Sequence, residues 1–137
     1  MTQPIEPLIR TEAPPDDTLV VVRAGPLTPE KIVEHAERQM AVFTYGGVPM
    51  ASISVDLCIN GWLLERVLEE RMWSRGRYAV TTAGTLRRAK YELVPTNAAP
   101  HYDIVLKAVS MKAAEELLAL FGPTMDNPFK QRQPRRR

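Results

Sequence analysis

The chain has 137 residues, 45% of them hydrophobic and 25% charged, with one cysteine, two histidines and a formal net charge of +2. That length suits one domain burying roughly two-thirds of its unfolded surface, and ordinary hydrophobicity with low net charge excludes wholesale disorder. No apolar run approaches the roughly 18 residues of a membrane span. The acidic, proline-containing start lacks the basic and apolar regions of a signal peptide. Cys58 has no partner for an internal disulfide, and one thiol with two imidazoles argues against a structural zinc site. A cytoplasmic protein is expected, with no metal and no cofactor.

Residues 1–17 hold Pro4, Pro7, Pro14 and Pro15 among scattered acids, which predicts a flexible Pro-rich arm because proline removes backbone donors. The β-branched run Leu19–Val22 reads as a strand ended by Gly25-Pro26. Thr28-Pro29 then starts a helix whose apolar residues Ile32, Val33, Ala36, Met40 and Phe43 share a face, with Gly46-Gly47 as its stop. Ala51, Ile53, Val55 and Leu57 alternate with Ser52, Ser54 and Asp56. Such alternation predicts a strand with only one side in the core.

Asn60 is placed to cap a second helix carrying Leu64, Val67, Leu68 and Met72. Tyr78–Thr82 reads as a third strand, followed by a short basic helical turn, Leu86–Tyr91, capped by Thr85. A fourth strand, His101–Lys107, alternates again, and Ser110 caps a last helix that Gly122-Pro123 closes. The order β-α-β-α-β-(α)-β-α predicts an α+β or mixed α/β fold: a small four-stranded sheet with helices mainly on one face. One globular domain is expected over 18–122, with a flexible basic tail over 123–137.

Net charge hides a polarity. Residues 1–70 carry five basic and eleven acidic side chains; residues 71–137 carry thirteen and five. Such segregation suits a surface that meets a polyanion, and nucleic-acid phosphate is the commonest one. Arg71, Arg75, Arg77, Arg88, Lys90 and Lys107 are the expected nucleic-acid contacts, with RNA favoured over DNA. The solvated alternative pairs these cations with Glu65, Glu69, Glu70 and the acids of the first helix.

No phosphate-loop, dinucleotide, zinc-hydrolase or serine-hydrolase signature is present. If the third and fourth strands pair, His101, Thr82 and Arg87 converge as a metal-free catalytic site for RNA. Histidine would move protons near neutral pH, while Arg87 and Thr82 would hold phosphate. In size, mixed sheet and metal-free polar cluster the chain resembles, in type alone, the small bacterial ribonuclease toxins, and no residue is carried over from them. His35, among Glu34, Glu37 and Arg38, reads as part of a solvated helix face. Two expectations stand: an RNA-acting protein, as a metal-independent endoribonuclease if it is an enzyme, or a non-catalytic module in complex with another protein. The second rests on the arm and the acidic half as docking devices.

Overall fold

A β-branched run starts the sheet. In the computed structural model, which describes residues 4–24 and 27–130, Leu19–Arg23 forms β1. Thr28 caps α1 (Pro29–Val42) by accepting a 3.3 Å hydrogen bond from the Lys31 backbone, with proline in the first turn where its missing donor is harmless. The helix ends at Phe43, whose backbone is already extended, and the chain enters a hairpin of β2 (Thr44–Tyr45) and β3 (Val48–Pro49). Gly46-Gly47, expected to stop the helix, is instead the tip of this hairpin. Its φ angles of 63° and 81° lie where glycine alone is unstrained.

The chain continues through β4 (Ser52–Leu57), α2 (Leu64–Arg66), a π-helical turn (Val67–Arg71), β5 (Arg77–Thr82), α3 (Ala83–Arg88), β6 (Glu92–Val94), β7 (His101–Val105), α4 (Met111–Leu118) and β8 (Met125–Asp126). Ser110 caps α4 as expected, accepting from Ala113 N at 3.1 Å. Asn60 does not cap α2, which starts without a side-chain cap; its amide donates to Glu12 Oε1 at 3.2 Å. Thr82, not Thr85, caps α3.

The fold is α+β, but its main sheet has six strands rather than four, all antiparallel, in the order β6-β7-β4-β1-β5-β8. The two unforeseen strands, β6 and β8, have three and two residues, too few for an alternation to register. Nor is one face open. Val20 and Val22 join Ile53, Val55, Tyr102 and Ile104 in the main core, where α1 contributes Ile32 and Ala36 and α4 contributes Ala114 and Leu117. Val21, pointing the other way, packs with Val67, Leu68, Met72 and Tyr78 in a second cluster.

Both ends of the domain run further than expected. The arm is extended, yet tied to the body: Ile5 N donates to Val42 O at 2.8 Å and Arg10 N to Pro95 O at 2.7 Å. Further on, Gly84 N donates to Asp16 O at 2.8 Å, and a Cβ on Gly84 would meet Asp16 Cβ at 2.8 Å. The arm therefore lies where only glycine leaves room. At the other end, residues 123–130 are not tail. β8 pairs with β5, and the buried Asn127 amide donates to the carbonyls of Leu68, Met72 and Arg75 at 2.9–3.2 Å. Gly25-Pro26 and the arginines Arg135, Arg136 and Arg137 lie outside the described residues.

Candidate functional site

The sequence-predicted constellation is dispersed. β5 and β7 do not pair; β1 and β4 lie between them. Three strand spacings of about 4.8 Å put their backbones about 14 Å apart. Thr82 accepts from Thr85 N, and its hydroxyl lies 2.7 Å from that of Thr85. Arg87 turns to the arm, 2.8 Å from Asp16 Oδ1 and bonded to the Pro14 carbonyl. His101 Nδ1 lies 2.7 Å from Thr96 Oγ1, and its Nε2 faces Asp103 Oδ1 at 3.7 Å. Thr96 in turn donates to Asp103 at 3.0 Å. Both nitrogens of His101 therefore face the interior rather than a shared cleft with Thr82 and Arg87.

The expected phosphate contacts scatter likewise. Arg71 reaches the buried Asp56 at 3.1 Å, and Arg77 pairs with Asp126 at 3.6 Å on the surface. Lys107 donates to Ala89 O at 2.6 Å and stacks over Tyr91. Lys90 shares a shallow recess with Arg87, Glu12 and Glu92, in which acids offset the cations. Arg88 is exposed at the end of α3. Arg75 alone of the set lines a cleft beside α1.

That cleft arises where two central strands stop pairing. β1 and β4 pair only at Val20–Leu57 and Val21–Asp56, although β1 runs on to Arg23 and β4 begins at Ser52. Helix α1 lies along β4, and His35 Nε2 sits 3.4 Å from the Ser54 backbone N–H. Between helix, strands and the Ser74–Gly76 loop is a cleft of about 490 Å³. Four cations line it: Arg23 from β1, Lys31 and Arg38 from α1, and Arg75 from the loop. His35 and the hydroxyl residues Ser54 and Ser74 supply the remaining polar lining, and no carboxylate is among the lining residues.

The lining of the cleft is cationic. Lys31 has an exposed partner in Glu34 at 3.6 Å. Among the described residues, Arg23, Arg38 and Arg75 have no carboxylate within ion-pair distance. Loss of water pulls the Arg23 guanidinium below its ordinary value; Arg75 and Arg71 push the same way, and Asp56 opposes them. His35 is also lowered, by burial first and by Arg38 second, with Asp103 opposing. Its ring is therefore neutral at pH 7. With Nε2 facing the Ser54 N–H as acceptor, the proton sits on Nδ1, which makes His35 an uncharged donor.

A carboxylate anchor holds α1 over the strands. Asp103, buried on β7, accepts from Ser52 Oγ at 2.6 Å, Gln39 Nε2 at 2.8 Å and Thr96 Oγ1. Gln39 lies one turn beyond His35, so this anchor fixes the helix that presents the imidazole. The reading of His35 as a solvated helix residue is thus corrected. Its signal was in the sequence: Lys31, His35 and Arg38 follow helical spacing, and Arg23 ends an otherwise apolar strand. Comparison with protein-family models, curated proteins and solved structures finds no match.

Proposed function

We propose that the protein acts on RNA by holding the phosphates of a single strand in the cleft between α1, β1 and β4. The observation that carries this reading is the convergence of Arg23, Lys31, Arg38 and Arg75 on one recess with no lining carboxylate. Guanidinium groups make paired, charge-assisted hydrogen bonds with phosphate oxygens. The recess volume, about 490 Å³, lies in the range of small-ligand sites. It suits one nucleotide rather than a duplex. Ser54 and Ser74 supply hydroxyl partners for a 2′-hydroxyl, the group that marks RNA.

Strand cleavage has less support than binding. A base needs a lone pair facing the substrate, but the free nitrogen of His35 carries a proton and the nitrogens of His101 face Thr96 and Asp103. The deciding experiment incubates purified protein with labelled single-stranded RNA in EDTA and follows binding and strand integrity together. Salt-sensitive binding to intact RNA is expected, weakened severalfold in Arg75→Gln. Absence of binding at low salt would end the RNA reading, and cleavage abolished by His101→Ala would restore the catalytic one.

A second reading, a module working in complex with another protein chain, is favoured by one observation. Ile5, Val42 and Val48 stay exposed where the arm meets the hairpin. Complex formation with a candidate partner that survives high salt and is lost in Ile5→Glu/Val48→Glu would support it.

A further inference from the structure

We infer that the ligand the cleft selects is a phosphate monoester, met as the 5′-phosphorylated end of an RNA strand; this rests on the RNA reading above. The argument is one of charge and shape. A diester carries a single negative charge, whereas a monoester carries about −1.5 to −2 at pH 7 and offers three acceptor oxygens. Arg23, Arg38 and Arg75 have no carboxylate partner among the described residues, while Lys31 has an exposed one. Arg23 loses water and lies in the field of Arg75 and Arg71, which Asp56 opposes. A dianion relieves that repulsion more fully than a monoanion does.

His35 sharpens the preference. A protonated imidazole would add a further cation to the same recess. The neutral ring instead presents Nδ1–H, a directed donor for one terminal oxygen, held by the Ser54 backbone on its far side. Arg23 at the end of β1 and Arg75 in the adjoining loop supply forked donors for the others. Shape agrees. The recess is walled by two strands, a helix and a loop, and a chain end enters such a space without leading backbone out again on both sides.

The same monoester chemistry occurs in free nucleoside monophosphates, so the test carries an arm for each source. Fluorescence anisotropy would compare one octaribonucleotide bearing a 5′-phosphate or a 5′-hydroxyl, with adenosine monophosphate as competitor. Binding should be about tenfold tighter for the phosphorylated end, the worth of one added set of charge-assisted contacts. The difference should vanish in Arg23→Gln and in Arg75→Gln, each checked for folding by its thermal midpoint. Equal affinity for the two ends overturns the monoester preference while leaving RNA binding intact. Tight binding of adenosine monophosphate with no binding of either RNA keeps the monoester site and overturns the RNA reading. Binding of none of the three overturns both.

Discussion

Ser52 and Asp103, on neighbouring strands and 51 residues apart in sequence, meet through a 2.6 Å hydrogen bond from the serine hydroxyl to the carboxylate. The carboxylate is 1% exposed and also accepts from Gln39 and Thr96. Asp103→Ala strands three donors at once and should destabilise the fold by about 3 kcal/mol or more, since each orphaned buried donor costs about 1–3 kcal/mol. Ser52→Ala, which removes one donor and leaves the carboxylate two others, should cost only about 1 kcal/mol. Urea denaturation checks both. Near-equal effects would mean that the carboxylate is not the hub of this network.

Tyr102 gives the opposite expectation. Its ring is fully buried in the main core with Arg10 over its face, yet among the described residues its hydroxyl has no hydrogen-bond partner. Tyr102→Phe removes an unsatisfied polar atom without opening a large cavity. Stability should stay level or rise by about 1 kcal/mol. A loss of that size would reveal a partner for the hydroxyl.

Asn127 ties the second cluster shut. Its amide serves the carbonyls of Leu68, Met72 and Arg75, and its Oδ1 accepts from Phe129 N at 2.9 Å. Asn127→Ala leaves the end of the π-helical turn without these donors and should cost about 2 kcal/mol. Because Arg75 belongs to the held segment, RNA affinity should fall too. Unchanged stability with normal binding would show that the Asn127 amide does not hold this segment.

The sequence was most legible where local chemistry acts alone. The Thr28-Pro29 and Ser110 caps, the apolar runs of β1 and β5, and the α+β class all follow from short-range signals. It was least legible where tertiary pairing reassigns a residue. The Ser52, Ser54 and Asp56 alternation looked like a solvated face, because period two reports sidedness and not what covers the side. Here Asp103, Asp56 and their donors turn that side into a buried polar layer. The candidate site failed for a related reason. Strand order β7-β4-β1-β5 inserts two strands between His101 and Thr82, and linear spacing carries no such information. The cations that do converge, Arg23, Lys31, Arg38 and Arg75, come from both halves of a chain whose charge looked segregated.

His35 should leave a mark on the pH dependence of stability. Its folded value is lowered, by burial first and Arg38 next, so the unfolded chain binds a proton there more readily. Above an unfolded value of about 6.5 both states are neutral at this residue and it contributes no slope. As pH falls through that value the unfolded state gains the proton first, and stability declines. Urea midpoints at pH 7.5 and 5.5 should therefore differ more in the wild type than in His35→Gln. Equal slopes would place the imidazole in free solvent and undo its role as a neutral donor.

The cleft also predicts how binding responds to salt. Each phosphate neutralised on a single strand contributes about −0.7 to the slope of log affinity against log salt, because a cation on the protein replaces a condensed counterion. Arg75 lines the cleft, whereas Arg77, two residues on, pairs with Asp126 on the surface. Arg75→Gln should thus flatten the slope by about 0.7 and weaken binding at every salt concentration, while Arg77→Gln should leave the slope close to the wild-type value. The two arginines are neighbours in sequence and identical in charge, so any general effect of lowering net charge falls on both equally. Equal flattening would mean that RNA reads the diffuse field of the basic half, and that the recess beside α1 has no special claim on it.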